Sequence, residues 1–172
     1  VATELRWYRS WPQNRYDDDS RHAHVVDHLP RVEIAGYDYM TATDGLPIRK
    51  PGFCMLEWDL ALESAERRRF AMVAARFPDS VLVAPYNLYP IDGNPQCAHR
   101  YNGGTPVRTG SPVCDTFGLG CVYLPASILA AFLTSESASL GMTDASLSRF
   151  VLNHYGQTRI DWSFAPQHLS GD

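Results

Sequence analysis

The chain predicts an α/β fold with a mostly parallel central sheet flanked by helices, Rossmann-like in organisation, and three observations carry that prediction. Phe53-Cys54-Met55-Leu56-Glu57 and Ser80-Val81-Leu82-Val83-Ala84 are short apolar runs, which read as buried strands. Between them, from about Ser64 to Arg76, Phe70, Val73, Ala74 and Phe77 recur at i, i+3, i+4 and i+7, the period of an amphipathic helix. Strand, helix and strand in that order make one βαβ unit, which implies parallel strands joined by a right-handed crossover.

The first 50 residues are the least legible. Arg15 to His28 is polar, Val32-Glu33-Ile34-Ala35 reads as a strand or a helix end, and Thr43-Asp44-Gly45-Leu46-Pro47 carries turn chemistry. From Pro51 the pattern clears. The helix after the first buried strand has Glu63 and Arg67 as a favourable i, i+4 pair on its outer face, and Pro78-Asp79 breaks it. Asn87 to Pro112, rich in Gly and Pro, reads as a long loop of the kind that carries substrate contacts or a lid. Asp115 to Leu124 is a Gly-rich bend feeding a strand. Pro125 is placed to open a helix with Ile128, Leu129, Phe132 and Leu133 on its inner face, ended by the polar stretch Ser135 to Ser139. Thr143 and Asp144 begin another helix, with Leu147, Phe150 and Val151 inward and Gly156 at its stop. Thr158 to Phe164 alternates as a final strand, and Pro166-Gln167-His168-Leu169 closes the chain.

At 172 residues the chain is read as one domain, long enough to build a core without staples. Hydrophobic content of 45% and charged content of 20% are globular values, and a net charge of −4 provides no electrostatic footprint for nucleic acid. No apolar stretch approaches the roughly 20 residues of a membrane helix, so no membrane span is expected. Val at position 1 and a polar start without a signal-peptide core predict numbering that begins inside a longer gene product. The four cysteines, at 54, 97, 114 and 121, include no CxxC pair, so zinc spacing is absent and a reduced, cytoplasmic protein is expected. A Cys114–Cys121 or Cys97–Cys114 bridge stays open.

The chemistry concentrates at Glu57-Trp58-Asp59. Two carboxylates at i and i+2 where a buried strand ends lie at the sheet edge where open α/β sheets bind ligands, and they predict a divalent metal holding a phosphorylated substrate. The plainer alternative makes Asp59 a helix cap and Glu57 an ordinary strand residue. Asp17-Asp18-Asp19 has similar spacing near His22 and His24, but no apolar strand precedes it, so a solvated loop or a helix N-terminus is the better reading. A zinc site at His22 and His24 lacks a clear third ligand. No GxSxG elbow, P-loop or dinucleotide-binding GxGxxG occurs, which leaves hydrolase, NTPase and dehydrogenase classes without support.

Met55-Leu56-Glu57-Trp58-Asp59-Leu60, Phe117-Gly118-Leu119-Gly120-Cys121, Met142-Thr143-Asp144 and Gln167-His168-Leu169, taken in that order, resemble the site of small nucleotide-sugar glycosyltransferases of the GT-A fold. The resemblance covers roughly residues 52–169. It implies that Asp59 binds a divalent metal on the sugar-nucleotide diphosphate, with His168 as a further ligand. Glu57 stands where the first acid of the DxD motif falls, and its extra methylene leaves ribose, the metal or a metal-bound water as its partner. The resemblance further implies Asp144 as catalytic base and a nucleotide-binding role for Gly118 and Gly120. Mn2+ or Mg2+, a UDP-sugar donor and an unidentified hydroxyl acceptor follow from it. Asp144 as a first-turn complement to the helix dipole, His168 as an inert tail residue, and the two glycines as a tight bend are the structural alternatives. A non-catalytic nucleotide-sugar-binding or assembly protein is the alternative function. A nucleotidyltransferase is disfavoured by the lack of a Gly-rich, basic phosphate loop near the N-terminus.

Overall fold

The computed structural model describes residues 3–10, 31–34, 37–48, 52–57, 60–91, 94–97, 99–101, 105–107, 110–140, 143–164 and 166–168. For residues 3–10, 31–34, 37–48, 61, 64, 87–91, 94–97, 100–101, 105–106, 140 and 167–168 it describes the backbone alone. In chain order the strands are β1 (Thr3–Ser10), β2 (Arg31–Ile34), β3 (Tyr37–Ile48), β4 (Gly52–Leu56) and β5 (Leu60–Ala61), followed by helix α1 (Ser64–Arg76). Next come β6 (Leu82–Val83), β7 (Asn87–Ile91), β8 (Asn94–Cys97), β9 (Arg100–Tyr101), β10 (Thr105–Pro106), β11 (Val113–Cys114) and β12 (Cys121–Pro125). The chain then forms α2 (Ala126–Leu133), a 3-10 turn (Glu136–Leu140), α3 (Asp144–Tyr155), β13 (Thr158–Ile160) and β14 (Gln167–His168).

The fold is α/β, with a mixed sheet flanked by helices. Its strands lie in the order β11-β13-β6-β12-β4-β1-β3-β2. The expectation of a mostly parallel sheet is corrected here, because only β1 with β4 and β6 with β13 are parallel neighbours. β4 and β6 do run the same way around α1, but β12 lies between them, antiparallel to both. Hydrophobic periodicity reports which residues are buried and is blind to strand direction, so this insertion had no local signal.

Both faces of the sheet are covered at β4, β12 and β6. Cys54, Leu56, Leu82, Ala84, Cys121 and Tyr123 pack with Phe70, Ala71 and Ala74 of α1, while Met55, Val81, Val83, Val122 and Leu124 pack with residues of α2 and α3. Successive strand residues point to opposite faces, so a strand buried on both sides must be apolar throughout, as these are. Gly52 admits the Tyr123 ring, since a Cβ there would stand 2.4 Å from it, and the Tyr123 hydroxyl donates to the Pro78 carbonyl. Burial pushes the phenol up to about 12.

Several local expectations change. Asn87–Pro112 is not structureless: β7 pairs with β8 and β9 with β10, both antiparallel. Its strands are 2 to 5 residues long, with Pro90, Pro95 and Pro106 inside three of them, too short to show a period. Thr43 to Pro47 lies inside β3 rather than in a turn between elements. The register there steps from Arg6 opposite Thr43 to Glu4 opposite Pro47, so the turn residues form a bulge against β1. Pro125 ends β12 and caps α2 instead of opening it, with an extended ψ of 137°. Leu133 is 41% exposed, and Phe77, at the C-cap of α1, is 37% exposed with the Arg159 guanidinium 4.3 Å over its ring. The final strand stops at Ile160, because Asp161 accepts from the Ser163 N–H and hydroxyl in a tight turn. Cys54, Cys114 and Cys121 are buried free thiols, so neither proposed bridge forms. Residues 11–30, with Asp17 to Asp19, His22 and His24, lie outside the described residues. Among the described residues no helix is long and apolar enough to cross a membrane.

Candidate functional site

β1, β4, β6 and β13 share one direction, and their carboxyl ends form one edge of the sheet, from which β12 starts back. Glu57 follows the last residue of β4 at this edge. Its N–H donates to the Gly120 carbonyl at 2.8 Å, and its own carbonyl accepts from the Leu60 N–H at 3.2 Å. Trp58 and Asp59 lie outside the described residues. Immediately after them β5 pairs antiparallel with β14, setting Ala61 opposite Gln167 and Leu60 opposite His168. The backbone therefore sets Gln167 and His168 beside Ala61 and Leu60, which follow the acidic motif in sequence, though the His168 side chain is not among those described. Among the described residues no three His, Cys, Asp or Glu side chains converge as a metal site.

The bend before β12 is held by four side chains from different parts of the chain. The Phe117 N–H donates to Ser148 Oγ at 3.3 Å and the Gly118 N–H to His99 Nδ1 at 3.3 Å. The Leu119 N–H donates to the Asp144 carboxylate, and the Gly120 N–H to the Tyr86 hydroxyl at 3.2 Å. Four consecutive backbone donors are thus committed within the protein. A phosphate cradle needs such donors free, so this Gly-rich bend is built as a brace. The same holds for the missing side chain of Gly120: a Cβ there would stand 2.4 Å from the Tyr86 ring and 2.5 Å from Leu60 Cδ1. Packing by the protein itself already requires glycine.

Asp144 opens α3, but it is not the cap. Thr143 accepts from the Ser146 N–H, and Ser146 Oγ accepts from the Thr143 N–H, which completes a capping box. The Asp144 carboxylate is free to reach across to Leu119. Although the residue as a whole is exposed, burial of its carboxyl raises its pKa, opposed by hydrogen bonds from the Leu119 N–H and its own N–H. Desolvation outweighs the two donors, since an ionised oxygen loses more hydration than they return.

His99, Tyr86 and Ser148 were not foreseen as site residues. His99 is wholly buried, its Nε2 lies 3.1 Å from the Ala84 carbonyl, and its ring meets Tyr86 edge-on at 5.7 Å. It falls in the stretch read as a loop, which concealed it. Ser148 carried a signal: a polar residue directly beside Leu147 on the inward arc of α3 needs a partner. It finds one in the Phe117 carbonyl, to which it donates at 2.9 Å, and it also contacts the Asp144 carbonyl.

No family model matches the chain, and no curated protein matches it. Among solved structures, the crystal structure of A197 from STIV matches with a TM-score of 0.44 and 14% identity, over 68% of this chain and 56% of that one. The chain thus spans little more than half the length of that structure.

Proposed function

We propose that the chain is a metal-dependent glycosyltransferase with a GT-A-like site, moving a sugar from a UDP-sugar to a hydroxyl acceptor. The observation that carries this reading is the pairing of β14 with β5, which sets His168 opposite Leu60, one residue past Asp59. Two carboxylates and an imidazole, from Glu57, Asp59 and His168, make a donor set suited to Mg2+ or Mn2+. Such an ion, when bound, supplies charge neutralisation for the leaving diphosphate. Asp59 and His168 would hold it, and Glu57 would face the ion or the ribose. Asp144 is the proposed base. A carboxylate has about four lone-pair sites, so accepting from Leu119 and its own N–H leaves capacity for the acceptor's hydroxyl proton, and a raised pKa makes it a stronger base. A reducing, cytoplasmic setting goes with this reading and with the three free thiols.

Calorimetric titration with UDP tests it. Binding is expected with Mn2+ and is expected to vanish with chelator or in Asp59→Ala. Equal binding by Asp59→Ala, or no dependence on metal, counts against the proposal. A second reading, a nucleotide-sugar-binding protein without turnover, is favoured by the structural use of Asp144 and of all four bend amides. Hydrolysis of UDP-sugar to water, lost in Asp144→Asn, supports the enzyme. Metal-dependent binding with no turnover supports the binder.

A further inference from the structure

We infer that His99 is a positioning residue of this site, acting as a neutral imidazole that braces the Gly118 bend against Ala84 and so fixes how Glu57 leaves β4. The protonation follows from the partners. A backbone N–H only donates, so Nδ1, facing Gly118, must accept; the ring proton then sits on Nε2 and is donated to the Ala84 carbonyl. His99 itself is fixed through both its backbone and its ring. Its backbone carbonyl accepts from the Val107 N–H at 3.0 Å, and Tyr86 packs edge-on against the ring while taking the Gly120 N–H. Gly118 and Gly120 are therefore both held by this His–Tyr pair, and the Gly120 carbonyl receives the Glu57 N–H. With its ring wholly buried, His99 acts through the bend and does not touch substrate.

The inference rests on the proposed function only for what Glu57 is positioned to bind, and the test separates the two. Amide hydrogen exchange is followed in the full chain for wild type, His99→Asn, His99→Gln and His99→Leu. The Asn carboxamide oxygen lies near the place of Nδ1 and keeps the acceptor for Gly118; the Gln amide lies near Nε2 and keeps only the donor to Ala84. Exchange at Gly118 and Glu57 is expected to rise roughly five- to tenfold in the Gln and Leu variants, the scale of one lost hydrogen bond, and to stay near wild type in Asn. The Gly156 amide, bonded within α3, serves as the internal control and should not move. Unchanged Glu57 exchange in His99→Leu, rescue by Gln equal to rescue by Asn, or acceleration at Gly156 in step with Glu57 overturns the inference. Parallel titration with UDP and Mn2+ reports on the glycosyltransferase reading: absent binding in wild type sinks that reading, while the exchange pattern still decides the role of His99.

Discussion

Gly120→Ala isolates the packing that shapes the bend. The added Cβ would lie 2.4 Å from Tyr86 Cε1 and Cζ and 2.5 Å from Leu60 Cδ1, where carbon atoms rest at about 3.5–4.0 Å. The overlap is about 1 Å on two sides, and Tyr86 and Leu60 are both buried, at 5% and 0% exposure. Neither can swing into solvent. Overpacking of this kind costs about 1–3 kcal/mol. Displacing Tyr86 also breaks its bond to the Gly120 N–H, another ~1 kcal/mol. The expected loss is about 2–4 kcal/mol, a large part of the roughly 5–15 kcal/mol of a typical domain. Urea unfolding of Gly120→Ala, Tyr86→Ala and the double variant measures it. The double variant should recover part of the loss, because removing the ring empties the space that the new methyl needs. A Gly120→Ala cost under about 0.5 kcal/mol, or strict additivity with Tyr86→Ala, would refute the reasoning.

Two further outcomes follow from the same brace. Ser148→Ala leaves the buried Phe117 N–H and carbonyl without their hydroxyl partner and should cost about 1–3 kcal/mol in urea unfolding at neutral pH. Asp144→Asn changes the pH dependence: with the folded pKa raised, the carboxyl favours the fold below its ordinary value of 3.8, and that contribution is lost as pH rises through the folded value. Wild-type stability relative to Asp144→Asn should therefore fall with rising pH across the acid range and level off above it, and a difference that rises with pH would contradict the direction of the shift.

Much of the architecture was legible because burial leaves a period. The α1 boundaries, the start of α3 at Thr143 and Asp144, its Gly156 stop and the buried runs of β4, β6 and β12 all follow from neighbours a few residues apart. The pairing of short strands in 87–112 was not legible, since two-residue strands have no pattern and gain their stability only from a partner. The candidate site divides in the same way. Glu57 at a strand end and Asp144 at a helix start were readable; His99, Tyr86 and the commitment of the bend amides were not.

By itself the sequence determined the three helices, the buried strands β4, β6 and β12, and that an acidic motif ends a buried strand. Tertiary structure alone decided that β12 inserts antiparallel between β4 and β6, and that β14 returns to β5. It also turned a Gly-rich bend that reads as a ligand loop into a brace. The reason is range: the partners of Phe117, Gly118 and Gly120 lie 31, 19 and 34 residues away. Hydrogen bonds over such separations are set by which elements the fold packs together, and no local spacing encodes them.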